Sequence, residues 1–108
     1  MLVTDDFDLQ MLNGDTIVSF QSVDLEVARK WVKDATEIGR GPVSAIRHAG
    51  VASLISYALG CRLAPSCIDV RLDTPILVGQ YIGPQLPEGT LTNIPEGAKI
   101  VWWMIDPM

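Results

Sequence analysis

The chain has 108 residues, enough for one domain and too few for two. Its residues are 48% hydrophobic, so a sizeable core can form. Thirteen acidic residues against eight basic ones give a net charge of −5, which argues against general DNA or RNA binding, since that needs a basic face to collect phosphates; a small anionic ligand held by a few local donors is still compatible.

In chain order, Leu2 to Thr4 reads as a short strand. Asp5 to Asp15 reads as an acidic loop anchored by Phe7, Met11 and Leu12, with a turn signal at Asn13-Gly14-Asp15. Thr16 to Gln21, rich in β-branched and aromatic residues, reads as a second strand. Ser22 or Asp24 can cap a helix running to about Ile38. Leu25, Ala28, Val32 and Ala35 form its apolar stripe, flanked by Val27 and Trp31. Glu26 and Lys30 are spaced to pair on its wet side, and Gly39 suits the position that follows the helix end.

Arg40-Gly41-Pro42 is a linker, and Val43 to Ile46 is extended or turning. A second helix begins near His48 and ends before Gly60. Val51, Ala52, Leu54, Ile55, Ala58 and Leu59 make it apolar almost all round, the mark of a helix buried on most sides. Arg62 to Cys67 is a Pro-containing loop, and Ile68 to Leu72 alternates like a half-buried strand. Pro75 to Ile82 is a more continuously apolar, central strand, stopped by Gly83-Pro84. Two similar turns follow, Leu86-Pro87-Glu88-Gly89 and Ile94-Pro95-Glu96-Gly97. Ile100 to Ile105 is the last strand; its adjacent Trp102 and Trp103 point to opposite faces, one inward and one outward, where it could meet a dimer partner or stack on a base. The order predicts one small α/β (α+β) domain over residues 1–108, a mixed sheet of about five strands with two main helices packed on it.

The N-terminus opens on acidic residues, without the basic flank and apolar run of a signal peptide. No stretch approaches the roughly 18 apolar residues of a membrane helix. The expected setting is therefore cytoplasmic and not membrane-bound, with Cys61 and Cys67 reduced. One His and two Cys make a weak zinc set, since a structural site takes four ligands. Asp5, Asp6 and Asp8 carry the oxygen ligands that hard cations prefer, yet nothing in their spacing fixes a geometry, and an acidic solvated loop is the simpler reading. No cofactor is expected.

The most informative stretch is Ser44-Ala45-Ile46-Arg47-His48-Ala49-Gly50, which opens the buried helix. A helix N-terminus attracts anions through its free N–H groups and dipole. Arg47 adds a permanent charge suited to phosphate. His48, the only histidine, is suited to proton transfer near neutral pH. Ser44 and Gly50 permit close approach. The same position suits a capping or packing histidine. Glu88, in a Pro-Gly turn, becomes a chemical candidate only if the fold brings it to His48.

Val43 to Gly60 resembles the central signature of the viral ring nucleases, small anti-CRISPR proteins in which a Ser-Ala-Ile-Gly-His stretch leads into a helix with a Leu-Gly end. Ile68-Asp69-Val70-Arg71-Leu72 and Leu86-Pro87-Glu88-Gly89 are similar to that family's strand and its Arg-Leu-Pro-Glu-Gly turn, and Phe7 to Leu12 to its Phe-Ser-x-Asn-Met-Leu loop. The similarity spans Leu2 to about Leu91. It implies a homodimer that binds cyclic tetra-adenylate in a cleft on the two-fold axis and cuts it without a metal. A ribose 2′-hydroxyl would attack the adjacent phosphorus and leave a 2′,3′-cyclic phosphate. His48 matches the histidine that protonates the departing 5′-oxygen, and Glu88 the glutamate that positions the reacting groups. Loss of the messenger would silence type III CRISPR effectors.

The chain departs from that pattern at the ligand. The family's arginine two residues before Pro87 is Gln85 here; Arg47 stands where the family has Gly and can supply the missing charge; Asp8 stands where the family has Ser. The helix after the Glu turn is replaced by a Pro/Gly connection, Leu91 to Ala98. His48 and Glu88 favour a hydrolase. Gln85 and Asp8 favour a protein of the same fold that binds a cyclic oligoadenylate, or another cyclic nucleotide, without cutting it. A structural or regulatory dimer without nucleotide suits the acidic charge.

Overall fold

The computed structural model describes residues 1–7, 17–66, 68, 75–86 and 93–107. The described residues form strands β1 (Leu2–Thr4), β2 (Val18–Val23), β3 (Val43–Ser44), β4 (Ile76–Ile82) and β5 (Lys99–Pro107), and helices α1 (Leu25–Glu37) and α2 (Ala49–Leu59). The strands make one mixed sheet in the order β2-β5-β4-β1-β3. β1 runs parallel to both β3 and β4, whereas β5 is antiparallel to β4 and β2. The predicted class, a five-stranded mixed sheet carrying two helices, is the observed one. The segment at Val43, expected to be extended or turning, joins the sheet as β3, while the strand expected at Ile68 to Leu72 and the turn at Leu86 to Gly89 lie largely outside the described residues. So do Asn13-Gly14-Asp15, Cys67, Asp8 and Glu88.

The helices begin and end on local signals. Asp24 Oδ1 accepts from Val27 N–H at 2.9 Å and caps α1. Gly39, just beyond α1, adopts φ 76°, a left-handed conformation that a glycine takes without a Cβ clash. Gly60 ends α2 in the same way with φ 73°. On α1, Ala28 and Val32 are buried and Trp31 packs beside them, as the stripe predicts. The expected Glu26–Lys30 pair is replaced: Lys30 Nζ meets Asp34 at 2.9 Å instead. Both carboxylates lie four residues from Lys30, and Glu26 is in the first turn, where its charge is already favoured by the positive helix end. Either pair is exposed and contributes at most a few tenths of a kcal/mol, so the exchange costs the fold little.

One face of the sheet carries both helices. Val3, Leu77 and Trp102 meet Ala28 and Val32 of α1 and Val51, Leu54, Ile55 and Leu59 of α2 in a single cluster. Gly79 in β4 permits the contact: a Cβ there would lie 2.8 Å from Ile55 Cδ1 and 2.9 Å from the Trp102 ring. Arg29 Nε donates to the Ala58 carbonyl at 2.6 Å and ties α1 to the end of α2. Past α2, the Ser56 hydroxyl receives Leu63 N–H at 2.9 Å, and Ser66 N–H donates to the Ile46 carbonyl at 2.7 Å. These bonds return the loop to the segment just before His48.

The opposite face carries no described helix. Ile76, Val78 and Ile105 are buried there, with Leu2, Phe7, Val18 and Trp103 packed around them. The alternation of β5 therefore does what its sequence implies. Trp102 is buried under the helices, and Trp103 lies on the open face, half-buried. No described helix is long and apolar enough to cross a membrane.

Candidate functional site

β3 and α2 position the residues that the sequence singles out. β3 is held against β1 by Val43 N–H to the Met1 carbonyl (2.9 Å) and Ala45 N–H to the Val3 carbonyl (2.8 Å). The chain then leaves the sheet through Ile46, fully buried, so Arg47 and His48 emerge at the sheet's end with their backbone fixed on both sides. Arg47 is exposed and His48 is half-buried.

His48 is the N-cap of α2. Its Nδ1 accepts from Gly50 N–H at 3.1 Å and from Val51 N–H at 3.3 Å. An acceptor Nδ1 carries no proton, so the neutral ring bears its hydrogen on Nε2. This alters the anion site expected at the helix start. Two of the first-turn N–H groups are already satisfied by the imidazole, and a phosphate approaching α2 meets side chains more than bare amides.

Asp5, at the end of β1, completes the local arrangement. The backbone N–H groups of Arg47 and His48 are donors to its carboxylate. Burial nevertheless pushes the Asp5 carboxyl above its ordinary value; the neighbouring charge of Asp6 acts in the same direction, and the backbone donors oppose it. Asp5 is the residue that sequence reasoning missed at this site. In sequence it is one of three acids in a polar loop. Only the parallel pairing of β1 with β3 carries it to the residues that open α2.

The other expected residues fall as follows. Ser44 is half-buried in β3 and its Oγ accepts from Ile46 N–H at 3.3 Å, so it shapes the exit from the strand. Gln85 is exposed just past β4, beside the buried Leu86. Asp8 and Glu88 are outside the described residues. Among the described residues no group of three or more His, Cys, Asp or Glu side chains is placed to hold a metal ion.

Two cavities adjoin α2 or the end of β1. One, of about 710 Å³, is an open depression between the C-terminal half of α2 and Arg62 to Pro65, and it contains none of the expected site residues. The other, of about 470 Å³, lies on the open sheet face and reaches Asp5 and Asp6 at its edge. Its size falls in the range of small-molecule sites, about 300–1,000 Å³.

No family model matches the chain, and no curated protein matches it. Among solved structures the chain is similar to B116 of Sulfolobus turreted icosahedral virus (STIV), with a TM-score of 0.78, 22% sequence identity and 97% of each chain covered. At that identity the likeness establishes a shared fold across essentially the whole chain, a fold found in a virus of Sulfolobus.

Proposed function

We propose that this chain is a ring nuclease that binds cyclic tetra-adenylate and opens it without a metal, with His48 at the reacting phosphate. The observation that carries the reading is the placing of His48: a lone histidine, half-buried at the start of α2, with its proton directed to Nε2 and the exposed Arg47 beside it. The resemblance of Val43 to Gly60 to the ring-nuclease signature, and a fold shared with a viral protein, support it further.

In the proposed reaction a ribose O2′ bonds to phosphorus and the P–O5′ bond breaks. The 2′-hydroxyl proton leaves to solvent, and O5′ takes up a proton. The neutral His48 ring offers Nε2–H as a hydrogen bond that stabilises the charge growing on that oxygen, and the proton itself comes from solvent. Arg47 supplies the permanent charge for the phosphate oxygens in place of the arginine that is Gln85 here. Glu88 takes the role of the family's positioning glutamate, and Asp8 stands at the family's loop position. The ligand is expected across a homodimer, as in the ring nucleases.

A second reading, binding without cleavage, is favoured by one specific observation. A full proton comes from the charged imidazole, and charging the ring puts a proton on Nδ1, where it now accepts from Gly50 and Val51. Capping and proton donation therefore compete for one nitrogen.

Incubation of the purified protein with cyclic tetra-adenylate in EDTA, with products resolved by chromatography, separates the two. Linear di-adenylate ending in a cyclic phosphate, absent with His48→Ala, is the expected result. An intact ring that stays bound leaves the binding protein; an intact, unbound ring removes both.

A further inference from the structure

The cavity on the open sheet face has a composition that the reaction at His48 does not use. Its floor is apolar, built from Val78 and Ile105 of the two central strands. Its walls are aromatic. Phe20 from β2 is 52% exposed although it sits among apolar neighbours. Phe7 meets it edge to face, with ring centroids 5.3 Å apart at 88°, and Trp103 stands on the neighbouring strand. The polar groups are few and gathered. Trp103 Nε1–H donates to Gln80 Oε1 at 3.3 Å, which turns the Gln80 amide so that its NH₂ is the end left to donate outward. Asp5 and Asp6 bring two carboxylates, acceptors only when ionised, to the edge.

We infer that this cavity binds a planar heteroaromatic ring bearing an amino group beside a ring nitrogen, as adenine and cytosine do, stacked on Phe20 and Trp103. The rings provide π-faces of the kind on which bases stack, which is sequence-tolerant and strong for its area. The Gln80 NH₂ suits the ring nitrogen, and a carboxylate of Asp5 or Asp6 suits the exocyclic amine; these are the pairings by which amide and carboxylate side chains read amino-bearing bases. The two carboxylates repel a phosphate, so the ring enters the cavity and the sugar-phosphate lies outside it. Asp5 gives that outside position an address. The same carboxylate takes N–H donation from Arg47 and His48, so a base seated against it places its ribose-phosphate beside the start of α2. In making this a base subsite of cyclic oligoadenylate the inference rests on the reading above; the cavity chemistry itself does not require cleavage.

The test follows the Trp103 indole Nε1–H by proton–nitrogen NMR of the full chain, titrated with adenosine and, separately, with inosine, which carries an oxo group in place of the amine. A saturable shift at Trp103 with adenosine is expected, about fivefold or more weaker with inosine, because the carboxylate then faces an acceptor. Gln80→Leu weakens adenosine by a similar factor while the indole signals of Trp31 and Trp102 stay in place, which certifies the fold. Equal affinity for the two nucleosides, or no saturable shift at Trp103, overturns the inference. So does a Trp103 signal that moves with protein concentration alone, because the face is then occupied by a second copy of the chain. Adenosine binding in a protein that never opens the ring leaves the base site standing and removes the nuclease. Ring opening with unchanged KM in Gln80→Leu, and no adenosine response, does the reverse.

Discussion

Asp5 takes hydrogen-bond donation from the backbone N–H of His48, so the acidic end of the first strand is coupled to the residue that starts the second helix. The histidine is thus tied at its backbone by a carboxylate and at its ring by the helix it caps. Both ties make substitutions here informative.

His48→Ala and His48→Asn separate structure from chemistry. Alanine removes the acceptor for Gly50 and Val51 N–H, and a lost cap of this kind costs about 0.5–2 kcal/mol. Asparagine keeps a capping oxygen and restores most of that stability, yet lacks the imidazole. Thermal unfolding is expected to rank the wild type close to Asn and above Ala, while ring opening is lost in both. Cleavage retained in His48→Asn would make the histidine a cap and nothing more.

Asp5→Asn tests the buried carboxylate through pH. The Asp5 carboxyl is raised in the folded protein, chiefly by burial, so the folded state favours the protonated form. Its contribution is most favourable below the unfolded value, about 3.9, and is lost as pH rises through the higher folded value. The asparagine variant, neutral at every pH and still able to accept from an amide, is expected to unfold at a higher temperature than the wild type at pH 7. The difference shrinks on acidification toward pH 4. Thermal melts across that range check it; a variant less stable at pH 7 shows that the backbone donors outweigh burial.

Arg47→Ala probes phosphate recognition without disturbing the core, because the side chain is exposed. Loss of a charge-assisted contact is expected to weaken cyclic tetra-adenylate binding by about tenfold at low salt. The gap narrows at high salt, where exposed charges are screened. Calorimetric titration at two salt concentrations measures it, and equal affinity for the two proteins would place the phosphates elsewhere.

Gly79→Ala reads the fit of α2 on the sheet. The added methyl meets Ile55 Cδ1 and the Trp102 ring at under 3 Å, and Ile55 is fully buried. Overpacking of this kind costs about 1–3 kcal/mol. Chemical denaturation is the measurement, and α2, which carries His48, is expected to shift with it.

The parts of the molecule governed by neighbours in sequence were legible in the sequence itself. The α1 cap at Asp24, the α2 start at His48, the glycines after both helices and the apolar β4 all follow from local hydrogen bonding, backbone freedom and periodicity. The split of Trp102 and Trp103 between two faces follows from the two-residue period of a strand. Tertiary structure decided the rest. The two-residue β3 has too little sequence to announce itself and becomes a strand only by pairing with β1. Lys30 had two equally spaced carboxylates, and the folded helix chose Asp34. Asp5 reads as one acid among several until the parallel β1–β3 pairing sets it under His48, and until β2, β4 and β5 line up Phe20, Gln80 and Trp103 beside it. Local rules choose helices, strands and caps because their partners are a few residues away; which side chains share a cavity depends on strand order, and that is settled by burial across the whole chain.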